Sequence, residues 1–264
     1  MSSVECVYFA DSPKNILIAR REELKCYSRR AMFTLLAGLA LLAGCGESIP
    51  FTRVAVEKRV ETPRILAMGD SMLAWHRGSK QSIGDAIERE LNEPVIDRSV
   101  IAARYNYVLP ISGSLGLNIS KQYREGNWSW VILNGGGNDL WFGCGCVVCD
   151  GTIDKLIASD GATGKIPQLA SRIRRTGARV IYLGYLHSPG VYSIIDHCKA
   201  EGIELDERIA RYAAKDRGFY FLRTSILVPT GDRSFHSVDM IHPSVKASSA
   251  IGSEVAKIIR TAKR

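Results

Sequence analysis

The feature that most constrains this chain is a short apolar run, Ile65-Leu-Ala-Met68, that passes without a polar break into Gly69-Asp70-Ser71. An uninterrupted run of that length is the pattern of a strand covered on both faces, as in a parallel sheet, rather than the alternation of a half-exposed strand. Gly69 permits a sharp change of direction that a Cβ would resist. A serine just beyond it stands at the carboxyl end of a strand, where open α/β sheets collect their ligands. Ser71 is therefore a candidate nucleophile, with Asp70 supporting the turn. An ordinary turn in which Asp70 or Ser71 caps the next helix has the same three letters, so the tripeptide needs partners elsewhere in the chain.

Further apolar runs at residues 94–100, 130–133, 179–186 and 218–222 predict four more strands. Helical spacing separates them. Gly78-Ser79 is expected to open a helix in which Ile83, Ile87 and Leu91 recur every four residues, and others are predicted over 167–175, 204–216 and 243–259. Leu205, Ile209 and Tyr212 share one face, and Pro243 falls in a first turn, where its missing N–H costs nothing. Strands alternating with helices predict an α/β fold, a three-layer α/β/α sandwich around a parallel sheet. At 264 residues, 46% hydrophobic and 23% charged, the chain has enough material for one such domain plus a leader.

Two distant segments supply what Ser71 lacks. A serine hydroxyl needs a base within hydrogen-bond reach, and the base needs an orienting partner. Asp239-Met-Ile-His242-Pro243 offers both: one short turn lets the Asp239 carboxylate accept from the His242 imidazole and fix its tautomer. The bland alternative is that His242 caps the following helix or merely packs. The third segment, Asn134-Gly-Gly-Gly-Asn138-Asp139, follows the run at 130–133, and its glycines let the backbone crowd a site. Asn138 is a candidate oxyanion donor and also a natural turn residue.

This order of Gly-Asp-Ser, Gly-x-Asn-Asp and Asp-x-x-His resembles the SGNH, or GDSL, hydrolase family over roughly residues 63–264. The resemblance implies five strands in flavodoxin-like order and a triad of Ser71, Asp239 and His242. It also implies an oxyanion hole built from the Ser71 N–H, a backbone N–H in the segment after the second strand, and the Asn138 amide. No metal or organic cofactor is implied. In that middle segment the family has a glycine, whereas Ser99-Val-Ile-Ala-Ala-Arg104 puts Ala102 at the place. Alanine can supply the N–H, and we expect it to do so with negative φ. The implied substrates are small-molecule, glycan or lipid esters. The competing reading is a non-catalytic envelope module that binds glycan or a partner protein.

Residues 1–45 read as a leader. Basic residues precede an apolar run of about a dozen residues, too short to span a bilayer, that ends in Leu42-Ala-Gly-Cys45. That tetrapeptide resembles the bacterial lipobox and implies lipidation of Cys45. The chain is thus expected to be exported and held on the envelope membrane, facing the periplasm, with residues 46–62 as a tether and the outer membrane weakly favoured by Gly46. The net charge of +8 comes from scattered residues with no nucleic-acid motif, and no nucleic-acid partner is expected.

Cys144, Cys146, Cys149 and Cys198 remain in the domain. In an oxidising compartment four cysteines imply two disulfides, with three pairings open. A bridge to Cys198 would brace one wall of the site. A four-thiolate zinc site and a Cys146-Val-Val-Cys149 redox pair are the alternatives. The first lacks the second close pair of a zinc ribbon, and the second lacks a thioredoxin-like context. His187 is a turn or pocket residue, and His236 is a substitute base. Trp75, Trp128 and Trp141 are cleft or core residues. The glycosylation patterns at Asn118 and Asn127 are read as chance.

Overall fold

The computed structural model describes residues 64–107, 113–188 and 193–262. The expected leader, Cys45 and the tether lie outside the described residues.

Five parallel strands form one sheet: β1 (Ile65–Met68), β2 (Val95–Asp97), β3 (Trp130–Asn134), β4 (Arg179–Leu183) and β5 (Phe219–Leu222). Their order is β2-β1-β3-β4-β5. The period-2 pleat divides the apolar runs between two cores. Leu66, Met68, Val131, Leu133, Val180 and Tyr182 pack on one face against α5 (Asp150–Leu156), α6 (Lys165–Arg174) and α7 (Lys199–Ala213). Ile65, Ala67, Trp130, Ile132, Ile181 and Leu183 pack on the other face with α1 (Ser71–Ala74), α2 (Ile83–Leu91) and α8 (Val245–Ala262). Each such aliphatic side chain, fully buried, contributes about 1.5–3 kcal/mol of apolar transfer. This is why the central strands read as unbroken apolar runs.

Several boundaries differ from the sequence reading. The helix expected to open at Gly78-Ser79 begins at Ile83, because Ser82 and Asp85 form a reciprocal cap. Asp85 N–H donates to Ser82 Oγ at 3.2 Å, and Ser82 N–H donates to Asp85 Oδ2 at 2.9 Å. Residues 77–79 form only a 3₁₀ turn. The helix read as 204–216 starts at Lys199, where Cys198 ends the preceding turn. Strand β2 is three residues long, since it lies at the sheet edge and pairs on one side only.

Two short helices, α3 (Ile119–Gln122) and α4 (Gly137–Asp139), complete the set. β1 and β3 are neighbours while β2 lies beyond β1, so the chain leaves the sheet in opposite directions after β1 and β3. The crevice at their carboxyl ends is the switch point where open α/β sheets bind ligands. Ser71 follows β1 and Gly135 to Asn138 follow β3.

Candidate active site

Ser71 is the first residue of α1, and Asp70 is its cap: Asp70 Oδ1 accepts the Met72 N–H at 3.0 Å. The turn is held by three side chains from elsewhere in the chain. The Asp70 N–H donates to Asn134 Oδ1 at 3.0 Å, and Asn134 Nδ2 donates back to Asp70 Oδ1 at 2.9 Å. The Gly69 N–H donates to Gln122 Oε1 at 2.7 Å, and Gln122 Nε2 returns a bond to the Gly69 carbonyl at 2.8 Å. A Cβ at residue 69 would collide with the Asn134 side chain, so this approach requires glycine. Tyr185 donates its hydroxyl to Asp70 Oδ2 at 3.0 Å and accepts the Gly137 N–H. Burial pushes the Asp70 carboxyl up, and the bonds from Asn134, Met72 and Tyr185 only partly offset it. Asp70 is a strut between β1, β3 and β4 whose carboxylate bonds go to Asn134, Met72 and Tyr185.

The loop before α8 brings the base. His242 Nδ1 donates to Asp239 Oδ2 at 2.6 Å, which leaves Nε2 as the acceptor facing Ser71 Oγ at 2.8 Å. Asp239 Oδ1 accepts the Ile241 and His242 N–H groups at 3.0 Å each, so the three-residue spacing closes one tight turn around the carboxylate. Met240 takes a left-handed conformation, φ 57°, to make that turn. Partial burial raises the Asp239 carboxyl. The bonds from the His242 ring and from the two backbone donors outweigh it and hold the group below the usual carboxylate range. His236 does not reach Ser71: it is buried and donates Nε2–H to the Leu186 carbonyl at 3.1 Å.

Asn138 lines the cleft beside Ser71 and His242. One hydrogen of its amide goes to the Ala103 carbonyl at 3.1 Å, leaving the other for the cleft. Gly137 must be glycine because a Cβ would collide with the Tyr185 phenol. Ala102 corrects the sequence reading: its φ is +63°, in the left-handed region, not negative. The chain bends there as a glycine would. Ala102 is not among the cleft-lining residues, and its N–H has no partner among the described residues. The following loop is anchored by Asp139, whose carboxylate accepts the Tyr105 and Asn106 N–H groups at 2.9 and 2.7 Å. Burial lifts the Asp139 carboxyl to about 6, against the pull of those two bonds.

The cleft wall is apolar, with Leu140, Trp141, Leu186, Ile195 and Ile241, and carries His187 and Lys199 as polar members. Disulfides join Cys144 to Cys149 and Cys146 to Cys198. The second ties the turn after α4 to the start of α7, and Cys198 lines the cleft. All four sulfurs are bonded in pairs, so none is a thiolate ligand for zinc. Of the tryptophans, Trp141 faces the cleft, Trp128 packs on the core, and Trp75 lies against His242. Asn118 is the cap of α3. Asn134 and Asp139 sat inside a segment the sequence flagged, whereas Gln122 and Tyr185 carried no local signal.

A doubly wound parallel sheet with a serine, a histidine and an aspartate in hydrogen-bonded series at its switch point defines a hydrolase of the SGNH fold. Residues 67–249 match the GDSL-like Lipase/Acylhydrolase family, and the chain belongs to that family. A comparison with curated proteins gave no match. Among solved structures it is similar to a carbohydrate acetylesterase family member from Sinorhizobium meliloti (14% identity, TM-score 0.54, covering 76% of this chain and 99% of that one). It is also similar to a GDSL-like lipase from Bacteroides thetaiotaomicron (15%, 0.51, 75% and 88%). A third is a predicted SGNH hydrolase from Slackia heliotrinireducens (16%, 0.51, 75% and 99%).

Proposed function

We propose that the protein is a serine esterase that removes short acyl groups through a covalent acyl-Ser71 intermediate. The observation that carries this reading is the series Asp239–His242–Ser71, with contacts of 2.6 and 2.8 Å, opening on an apolar cleft. Ser71 Oγ attacks the ester carbonyl while His242 Nε2 takes its proton. Asp239 holds the tautomer and stabilises the imidazolium. The oxyanion accepts from the Ser71 N–H and the second hydrogen of the Asn138 amide. His242 then returns the proton to the leaving alcohol, and water releases the acid by the same steps in reverse.

The apolar lining favours a small acyl group, and the resemblance to a carbohydrate acetylesterase favours an acetyl ester on a glycan. Export and lipidation of Cys45, read from the leader, would put the enzyme beside envelope polymers and phospholipids. Metabolic labelling with a palmitate analogue, lost in Cys45→Ala, tests that placement. For the activity, Ser71→Ala is expected to abolish p-nitrophenyl acetate hydrolysis, a loss of more than about a thousandfold. Turnover that survives the substitution would refute the mechanism.

A further inference from the structure

We propose that Trp75 is a positioning residue for His242: its indole holds the imidazole in the plane that joins Asp239 to Ser71 and stabilises the imidazolium formed during turnover. This inference rests on the serine-esterase reading above.

The geometry begins in α1. Trp75 immediately follows the helix, and its N–H donates to the Ser71 carbonyl at 2.8 Å, so residues 71 and 75 lie one turn apart on the same face. The helical turn that presents the nucleophile therefore also presents an aromatic face beside it. His242 enters with its Nε2 edge on Ser71 and its face on Trp75. The two rings are stacked, with centroids 3.8 Å apart and planes 8° from parallel. The far end of the indole is tied to the same loop as His242. Trp75 Nε1 donates to Ser237 Oγ at 3.0 Å, and Ser237 Oγ donates to the Pro243 carbonyl at 2.9 Å. His76 Nε2–H reaches that carbonyl too, at 3.1 Å. Indole and imidazole are thus fixed to one another through the loop as well as through the stack.

A ring lying flat on an imidazole does two things. It removes the freedom to rotate out of the Asp239–Ser71 plane. It also offers its negative face to the positive charge that appears on His242 when the serine proton arrives. Asp239 at 2.6 Å acts in the same direction from the ring edge, and Asp70, on the turn before Ser71, adds a longer-range attraction. The cationic candidates nearby are His76, which is engaged with the Pro243 carbonyl, and His187 and Lys199, which line the same cleft as His242. Trp75 does not line the cleft, so its effect falls on the proton relay and not on substrate contact.

The test is the pH dependence of p-nitrophenyl acetate hydrolysis by the full chain and by Trp75→Leu and Trp75→Phe. Leucine is expected to lower kcat about tenfold with KM unchanged, and to move the acid limb of the profile down by about one pH unit, the equivalent of ~1.4 kcal/mol. Phenylalanine, which stacks but cannot donate, should keep the limb within about 0.3 unit and lose less than about threefold. An acid limb that stays in place in Trp75→Leu overturns the proposal, and so do equal losses in the two variants. If the wild type shows no Ser71-dependent turnover, the esterase reading fails. NMR titration of the His242 ring then decides the stack alone: titration at lower pH in Trp75→Leu supports it, and coincident curves overturn it.

Discussion

Replacing Asp239 by asparagine tests the relay without disturbing the turn that carries it. The two carboxylate oxygens have different duties. Oδ1 accepts the Ile241 and His242 N–H groups, both at 3.0 Å, and Oδ2 accepts His242 Nδ1 at 2.6 Å. Two backbone donors demand an oxygen at the first position, so the asparagine amide must place its NH₂ at the second, facing His242 Nδ1. An N–H aimed at Nδ1 forces that nitrogen to accept, and the ring proton moves to Nε2. Nε2 then points a proton at Ser71 Oγ and cannot take one. Restoring the productive tautomer means losing a charge-assisted bond, about 1.5–3 kcal/mol, and facing two donors together, about 1–3 kcal/mol more. Asp239 is partly exposed, which argues for the middle of that range, roughly 4 kcal/mol or about a thousandfold in kcat. The same exchange in Ser-His-Asp proteases costs about ten-thousandfold. The assay is kcat for p-nitrophenyl acetate, with thermal melting as the control. The Tm should stay within about 2 °C because the Oδ1 bonds survive. A loss in kcat below about tenfold at unchanged Tm would show that Asp239 does not set the His242 tautomer.

The remaining predictions concern the frame of the site. Ala102→Gly relieves a left-handed alanine, about 1–2 kcal/mol, against about 0.5–1 kcal/mol of added chain entropy, so the Tm should rise by about 1–2 °C with kcat unchanged. A fall in Tm would show that the bend is not strained. The Cys146–Cys198 bridge spans 52 residues and the Cys144–Cys149 bridge 5. Loop entropy gives about 4 kcal/mol for the first and about 2 kcal/mol for the second. The Cys146→Ser/Cys198→Ser pair should therefore lower Tm more than Cys144→Ser/Cys149→Ser, and equal shifts would contradict the pairing. The Asp139 carboxyl, at about 6 in the fold against 3.8 unperturbed, binds its proton more tightly folded than unfolded. Its contribution is present below about pH 4 and is lost as pH rises through 6, by up to ~3 kcal/mol. Urea melts of wild type and Asp139→Asn should show the stability difference shifting against the wild type over that window; a constant difference would count against the raised carboxyl. Asp239, held low, has the opposite sign, and its contribution disappears as pH falls below 3.8.

Which parts of this arrangement were legible in the sequence follows from how local their causes are. The central strands were readable because burial on both faces writes an unbroken apolar run, as at Ile65 to Met68 and at Trp130 to Leu133. Ser71, Asp239 and His242 stood out because each sits in a short segment whose spacing has a chemical reason. The start of α2 was misplaced because Gly78-Ser79 looks like an opening, while the decisive cap is the Ser82–Asp85 pair further on. Ala102 was expected at negative φ, since alanine ordinarily avoids the left-handed region, and a tertiary bend overrode that preference. Gln122 and Tyr185 were invisible: each acts across 53 or more residues or between separate strands, and nothing adjacent in the chain marks them. Trp75 was read only as cleft or core, because a stack on His242, 167 positions away, has no trace in local periodicity.

The most direct test of the central claim is covalent labelling of the protein with a fluorophosphonate, read by intact mass and peptide mapping. One equivalent is expected on Ser71, with no label in Ser71→Ala and much slower labelling in His242→Ala. No label on the folded wild type, or a label on another residue, would contradict it.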